Sequence, residues 1–432
     1  MNHKKTILFS LFFISLLTCS MVYAEAPELD WQHNFGDEGT DISFSHATRP
    51  EGGYALACLM KPRGADRGDL YLVLTDQNGE SVSESLLYEK CSGSSIQNTL
   101  DGGYIVCGTI SKILVSEAMV LVKTDADGDV LWSREYYDSG GYQPHSVEAV
   151  STGGYIVTGI RWKGPFEVMN DPDHQGPDAF LVRVDDQGEV LWNYTYGGLY
   201  DDRGFSVIKT DDSGFLLAGS TRPDDMSLDL GYLVRTDSSG EVMWSQTYGD
   251  EEGQLFNSIC IVDDVGYAAA GFTLGFGSQG SDYYLVRVDD IGELVWSSHY
   301  GGSGDDEAFD LVSVDGGFVL VGGSSVAMGS DRDVGVIRTD SEGEVLWEAA
   351  YGGGDHDIGY SITSTDDNGY VISGETRSFG SSFQIYLLKL KPDNTRSGSG
   401  DSIPGFGLFS VVSGCVLFLY LTSIRKGFIL YN

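Results

Sequence analysis

The chain has 432 residues, 41% of them hydrophobic, and a formal net charge of −38 at pH 7. This apolar content excludes a disordered chain, and the surplus of Asp and Glu argues against nucleic acid as a partner because an acidic surface repels phosphate. The 58 glycines are too many for an ordinary helical protein and indicate a fold with many tight turns.

Residues 1–24 have the features of a secretory signal peptide. The N-terminal region carries two lysines and is followed by a short apolar core from Ile7 to Leu17. Ala24 offers a small side chain at the cleavage position. Cys19 lies in a weak lipoprotein-like cleavage box, so lipidation there is the alternative. We expect cleavage after Ala24 and export of the mature chain.

Four cysteines lie outside the signal and the tail: Cys58, Cys91, Cys107 and Cys260. Their spacing fits no zinc site. An exported protein can form disulfides, but three of the four lie inside apolar strands, where a free buried thiol is an equal expectation. The sequence therefore leaves their disulfide status open.

A repeat of about 52 residues fills the chain from Trp31 to Lys391, and periods of this length indicate a repeat architecture. Its marker is a tryptophan, replaced by Ser83 in one copy; the others are Trp31, Trp132, Trp192, Trp244, Trp296 and Trp347. Each copy contains four short apolar runs separated by Gly- and Asp-rich turns, which predicts four strands. Seven copies predict an all-β, seven-bladed β-propeller of four-stranded blades over residues 25–391. A solenoid or a row of separate sheets is the alternative, although a lone four-stranded sheet cannot bury both of its faces.

The order of strands within a blade follows from one hairpin. A four-residue Asp-x-x-Gly turn joins the third strand to the Trp strand, and so short a turn cannot connect two blades. The Trp strand is therefore the outermost of its blade. Because the last copy ends at Lys391 without a Trp strand, we expect the N-terminal strand at Trp31 to complete the seventh blade and close the ring.

The repeated hairpin resembles the tryptophan-docking motif of quinoprotein-type propellers, with a one-residue difference in spacing, and is similar to the Asp-box of sialidase-type propellers. Five copies carry it: Asp125/Gly128/Trp132, Asp185/Gly188/Trp192, Asp237/Gly240/Trp244, Asp289/Gly292/Trp296 and Asp340/Gly343/Trp347. The resemblance implies that each Trp packs against the adjacent blade. It implies a fold and no particular chemistry.

Two features are expected on one face of the propeller, which we call the loop face. It carries the connections between blades and those between the second and third strands. The first feature is a set of carboxylates in matching connections near the central channel, Asp41, Asp202, Asp306 and Asp357, which predicts a Ca²⁺ site. The alternative is that these residues only turn and cap the chain.

The second feature is the longest loop, from Ile160 to Asp178, which predicts a ligand grip formed by Trp162, Lys163, Asp171, Asp173 and His174. A tolerated insertion is the alternative. Asn193 begins an Asn-Tyr-Thr glycosylation sequon. The histidines are scattered, no Gly-x-Ser-x-Gly is present, and the arginines recur as repeat residues, so binding is favoured over catalysis.

The tail predicts a membrane anchor. Residues 392–403 form a polar linker, and Phe406 to Ile424 is an uncharged apolar run long enough for a transmembrane helix. Two basic residues follow, so residues 427–432 are expected in the cytoplasm. Residues 404–426 resemble the archaeal PGF-CTERM sorting tail, which implies processing and a lipid anchor; a plain single-span anchor is the alternative.

These observations predict a cell-surface-anchored β-propeller that acts as a non-catalytic binding or scaffold module for an extracellular protein, glycan or cation. The cofactor is unknown, with Ca²⁺ as the candidate. The alternatives are a secreted or anchored hydrolase or lyase that acts on glycans, and a structural component of the envelope.

Overall fold

The structure is a computed structural model, and it describes residues 24–112, 117–164, 167, 169, 176–250, 253–262, 266–274, 280–325 and 330–393. Residues 1–23 of the predicted signal, most of the predicted linker and the predicted C-terminal span lie outside these ranges. Within them, no helix has the length and apolarity to cross a bilayer.

Seven four-stranded antiparallel sheets form the described part of the chain. The first blade contains β2 (Thr40–Thr48), β3 (Tyr54–Lys61), β4 (Asp69–Thr75) and β5 (Ser81–Tyr88); the second contains β6 (Cys91–Asn98), β7 (Tyr104–Ile110), β8 (Ala118–Thr124) and β9 (Val130–Tyr136). The third contains β10 (Gly141–Ala149), β11 (Tyr155–Trp162), β12 (Asp178–Val184) and β13 (Val190–Tyr196); the fourth contains β14 (Asp202–Lys209), β15 (Phe215–Thr221), β16 (Leu230–Thr236) and β17 (Val242–Tyr248).

The fifth blade contains β18 (Gln254–Ile261), β19 (Tyr267–Thr273), β20 (Asp282–Val288) and β21 (Leu294–Tyr300); the sixth contains β22 (Glu307–Val314), β23 (Gly317–Ser324), β24 (Asp333–Asp340) and β25 (Val345–Tyr351). The seventh contains β26 (Asp357–Ser364), β27 (Tyr370–Thr376), β28 (Gln384–Leu390) and the N-terminal β1 (Leu29–Phe35). Trp31 pairs with Lys389 and Phe35 with Ile385. The predicted seven-bladed propeller and its closure by the first strand are confirmed.

The apolar core lies between blades. One buried cluster joins Ile105 and Cys107 of the second blade to Tyr142 and Val157 of the third. The outermost strands are exposed on alternate residues, as in β17, whereas third strands such as β20 are buried throughout. Each sheet therefore depends on its neighbours to cover its two faces. All four cysteines are free, three of them buried, which answers the question that the sequence left open.

Five of the six outer-strand tryptophans pack on a glycine of the next blade, as the motif implied, and Trp347 at the seam is the exception. A Cβ added to Gly292 would lie 2.8 Å from the Trp244 ring, and Tyr248 Oη donates a hydrogen bond to the Gly292 carbonyl oxygen over 2.7 Å. The same tyrosine bond recurs in other blades, from Tyr136 to Gly188, Tyr196 to Gly240 and Tyr300 to Gly343. Because the glycine lacks a side chain and has positive φ, the turn can approach the indole ring.

The seam, where β1 joins β28, lacks the Asp-x-x-Gly turn because the two strands lie at opposite ends of the propeller sequence. Residues 24–28 and Asp393 take its place against the sixth blade. Tyr351 Oη donates to the Pro27 carbonyl oxygen (2.7 Å), and the Ala24 amide donates to the Leu346 carbonyl oxygen (3.0 Å). Trp347 Nε1 donates to Asp393 Oδ1 (3.3 Å). The ring therefore closes with contacts equivalent to those between the other blades.

A buried cation ends the third strand of six blades: Lys123, Arg183, Arg235, Arg287, Arg338 and Lys389. Lys123 shows the pattern, because its Nζ donates to the Thr124 carbonyl oxygen (2.6 Å) and pairs with Asp101 in the neighbouring turn (2.9 Å). In the first blade Leu74 occupies this position, and Arg49 Nη1 donates to the Thr75 carbonyl oxygen instead (2.8 Å). The repeated arginines therefore hold turns on the face opposite the loop face.

The docking contact predicts a difference between two glycine substitutions. Gly292 and Gly64 both have φ of +83°, but a Cβ on Gly64 would have no atom within 4 Å. Gly64→Ala should therefore lower the free energy of unfolding only by the backbone cost of positive φ, about 1 kcal/mol. Gly292→Ala should lower it by an additional ~1–3 kcal/mol, because the new methyl group overlaps with Trp244. Denaturant unfolding of the two variants measures this difference, and equal losses would contradict the docking role.

Candidate functional site

The four carboxylates predicted as a Ca²⁺ set lie at the loop-face ends of inner strands and are buried. Each accepts a hydrogen bond from the amide four residues before it, from Asp37 to Asp41 (2.8 Å), Gly198 to Asp202 (2.6 Å), Gly302 to Asp306 (3.0 Å) and Gly353 to Asp357 (2.8 Å). Gln254 makes the same bond in the fifth blade, from the amide of Asp250 (3.0 Å). The shared role is therefore to fix the connection between two blades.

The structure does not bring these four carboxylates together. In the part of the chain that it describes, they are absent from the lining of the central channel, and no group of three or more His, Cys, Asp or Glu is arranged to hold a metal ion. Asp357 instead faces Asp333 of the preceding blade, since a Cβ on Gly352 would contact both carboxylates. Burial raises the pKa of Asp333, and the nearby charge of Asp357 is the second cause of this shift. Ca²⁺ binding by the four residues stays a prediction.

The long loop of the third blade is described only at its base. Trp162 is 43% exposed at the end of β11, and Lys163 follows it. The other predicted ligand-grip residues lie outside the described ranges: Asp171, Asp173 and His174. Arg161 holds the base of the loop through Asp138 Oδ2 and Glu167 Oε1, each 2.7 Å from its Nη2. Trp162 is accessible, and its role in a ligand grip stays a prediction.

Asn193 lies on β13, the outermost strand of the third blade, and its side chain is exposed. It pairs with Val182 of the neighbouring strand. The position is accessible from outside the propeller, and glycosylation there stays a prediction.

The most distinctive site is the central channel, whose lining residues differ from the carboxylates expected there. All seven inner strands have a register shift at the same point, for example between Ser43 and Ser45 in the first blade. Each bulge adds one residue that takes no part in the regular strand pairing, and this residue lines the channel. We call these residues the bulge ring: Phe44, Ser94, His145, Phe205, Asn257, Phe309 and Tyr360.

The residue after each bulge also lines the channel, and together these form what we call the hydroxyl ring: Ser45, Ser95, Ser146, Ser206, Ser258, Asp310 and Ser361. The two rings enclose a cavity of about 510 Å³. Their signal in the sequence is an aromatic or polar residue followed by serine at the same repeat position, as in Phe44-Ser45, Phe205-Ser206 and Tyr360-Ser361. The period of this pair could have identified the channel.

Aromatic side chains of the bulge ring contact one another around the channel. The ring of Tyr360 lies with its centroid 5.1 Å from that of Phe309 and 6.2 Å from that of Phe44. Elsewhere in the ring, His145 and Phe205 meet edge to face at 5.1 Å. All of these side chains are only half-buried, so their faces are partly available to a ligand.

The hydroxyl ring connects adjacent blades at the axis. Ser45 Oγ accepts a hydrogen bond from the amide of Ile96 in the next blade over 3.4 Å, and Ser95 and Ser146 accept equivalent bonds. Asp310 replaces serine in the sixth blade; it accepts from Ser258 Oγ (2.8 Å) and from the amide of Ile362 (2.9 Å). Burial raises the pKa of Asp310 in spite of these bonds.

Two histidines of the channel wall are kept neutral. Burial lowers the pKa of His46 and of His145 to about 4. His46 Nδ1 lies 2.9 Å from Ser373 Oγ, but Nε2 of both rings is buried with no hydrogen-bond partner in the described part of the chain. Such unpaired nitrogens are uncommon in protein interiors.

Comparisons with known proteins support the fold and leave the ligand open. No family model matches the chain. Regulatory protein FlaEY from Caulobacter vibrioides is 25% identical in an alignment of 216 residues, which covers 45% of this chain and only 21% of the length of FlaEY. A protein of unknown function from Dyadobacter fermentans has a TM-score of 0.52 and 14% identity, covering 86% of this chain and all of that one (100%). The chain thus has a distant similarity to FlaEY and to propellers of unknown function.

The neutral histidines predict a loss of stability in acid. The unfolded chain takes up protons near the ordinary histidine pKa of 6.5, whereas the folded pKa is about 4, so stability falls as pH decreases between these values. From pH 7 to pH 4.5, a double variant with His46→Gln and His145→Gln should lose less stability than the wild type, by about 2–3 kcal/mol per histidine. Urea unfolding at several pH values measures this difference. The exposed His299→Gln serves as the control, and an unchanged pH dependence in the double variant would contradict burial of neutral rings.

Proposed function

We propose that the chain is an exported propeller, held at the cell surface by its C-terminal segment, that binds an extracellular ligand without altering it. A protein, a glycan and a cation are the ligand classes. The observation that supports this proposal best is the central channel, where half-buried aromatic side chains and hydroxyl groups face a cavity of about 510 Å³. Its volume falls in the range of about 300–1,000 Å³ that is typical of sites for small ligands.

The loop face supports a binding role through its fixed charges. In the fourth blade, Arg203 Nη2 pairs with Asp201 (2.6 Å) and Arg222 Nη2 with Asp229 (2.9 Å). In the sixth blade, Arg332 Nη1 pairs with Glu307 (2.8 Å). These ion pairs order connections whose sequences differ between blades, and a rigid scaffold with variable loops is a common basis for recognition.

The bonding of the buried carboxylates in the connections between blades favours an organic molecule over a cation as the main ligand. Asp306 shows the reason, because it already accepts hydrogen bonds from the Gly302 amide (3.0 Å) and from Ser324 Oγ (2.6 Å) of its own blade. A carboxylate engaged in this way has a structural role without a metal ion. Catalysis on a glycan stays the alternative that the sequence analysis stated.

Export and anchoring are supported by the two ends of the sequence, the signal at residues 1–24 and the apolar run from Phe406 to Ile424. At the seam, the Lys391 amide donates to the Glu28 carbonyl oxygen over 2.9 Å. The chain therefore enters and leaves the propeller at one place.

Lysine labelling of intact cells tests this topology. An amine-reactive reagent that cannot cross membranes should label the exposed Lys90 of the full chain equally in intact and lysed cells, and Lys426, beyond the predicted span, only after lysis. Lys123 is 3% exposed and should stay unlabelled as long as the propeller is folded. Mass spectrometry of the peptides gives the three extents of labelling.

Labelling of Lys90 only after lysis would contradict export. Loss of the Lys426 peptide from the mature protein, with Lys90 still labelled on intact cells, would indicate that the tail is processed as in PGF-CTERM proteins.

A further inference from the structure

The charge of the channel wall limits what can bind there. In the part of the chain that the structure describes, no lysine or arginine lines the channel, whereas the carboxyl groups of Glu148 and Asp310 do. The two histidines of the wall are neutral and add no positive charge. An anionic ligand would therefore meet only repulsion and unfavourable desolvation in the channel.

The carboxyl groups do not make the channel a site for a cationic ligand. Glu148 Oε1 already pairs with Lys209 Nζ over 3.3 Å. Asp310 accepts hydrogen bonds from Ser258 Oγ, and from the amides of Leu311 (2.8 Å) and Ile362 (2.9 Å). Because both charges are compensated, an amine would lose its hydration in the channel without gaining an uncompensated partner.

The channel instead combines apolar faces with neutral polar groups. The aromatic side chains of Phe44, Phe309 and Tyr360 form one continuous arc, and Phe205 adds an apolar ring beside His145. Next to them lies the hydroxyl ring. A serine hydroxyl can donate one hydrogen bond and accept two, and among these serines Ser258 already donates to Asp310. A pyranose has the matching surface, because its C–H groups form an apolar face and its hydroxyl groups surround it.

The two histidines of the channel wall keep their Nε2 atoms buried, so a ligand in the channel does not reach these nitrogens. His46 is 5% exposed and lines the channel, and its Nε2 has no partner among the described residues; His145 Nε2 is in the same condition.

We infer that the central channel binds a neutral carbohydrate, either a free hexose or the end of a glycan chain. The aromatic arc packs against the C–H face of the sugar, and the hydroxyl ring binds its hydroxyl groups. This inference rests on the proposed binding function and names the class of ligand.

Isothermal titration calorimetry on the full chain tests the inference. The protein is purified in a polyoxyethylene detergent, because a detergent with a sugar head group would compete. The probes are glucose, galactose, mannose and N-acetylglucosamine, with choline and glucuronate as the cationic and anionic comparisons. At least one neutral sugar should bind, and choline and glucuronate should not.

Two variants locate the binding in the channel. Phe309→Ala and Phe205→Ala change different parts of the bulge ring, so one can serve if the other fails to fold, and each should weaken sugar binding by about tenfold or more. Phe379→Ala is the matched control, since Phe379 is an exposed aromatic residue between β27 and β28 that does not line the channel. It should bind sugar as the wild type does.

Several results would overturn the inference: no binding of any neutral sugar, binding of choline in its place, or equal sugar affinity in the wild type and both channel variants. If no sugar binds while Lys90 is labelled on intact cells, only the channel assignment fails. If sugar binds in the channel but Lys90 is inaccessible on intact cells, the proposed surface location fails and the channel assignment stands.

Discussion

The structure depends on the contact between an outer-strand tryptophan and a glycine turn of the next blade, which is present at five of the seven junctions between blades. A blade is a four-stranded sheet with two apolar faces, and only the neighbouring blades can cover them. The Trp244 ring above Gly292, with the Tyr248 hydrogen bond beside it, fixes where two blades meet. A ring built from such contacts must close, because an open end would leave one face without cover. The seam meets this demand with residues 24–28 and Asp393.

Much of this fold could be predicted from the sequence, because the docking tryptophan recurs with a period and because an Asp-x-x-Gly hairpin is too short to leave its blade. The absence of a partner strand for Trp31 then predicted the closure. Two features could not be reached in this way. In the first blade Leu74 occupies the position of the buried cation, and Arg49 makes the hydrogen bond from a different repeat position. A comparison of equivalent repeat positions therefore does not reveal the role of Arg49. The burial of Asp357 against Asp333 depends on how two blades pack, which the sequence of one repeat does not contain.

The residues that line the channel were missed for a different physical reason. Strand prediction from alternation assumes regular pairing, and a bulge shifts one residue out of that pattern. At Phe205 and Tyr360 the bulge turns an aromatic side chain, which would otherwise count as core, toward the axis. The same bulge places a hydroxyl group next to the adjoining blade. One local deviation, repeated seven times, thus supplies both the inter-blade hydrogen bonds at the axis and the lining of the candidate site.

Hydrogen exchange of the full chain, followed by mass spectrometry, tests most directly whether the ring is closed. β1 (Leu29–Phe35) and β17 (Val242–Tyr248) are both outermost strands with one hydrogen-bonded neighbour, but only β1 comes from the far end of the sequence. A closed ring predicts similar protection of the two strands, within about tenfold, because opening either one exposes a docked blade face. Exchange of β1 at the rate of an unstructured peptide, while β17 stays protected, would contradict closure and the docking account built on it.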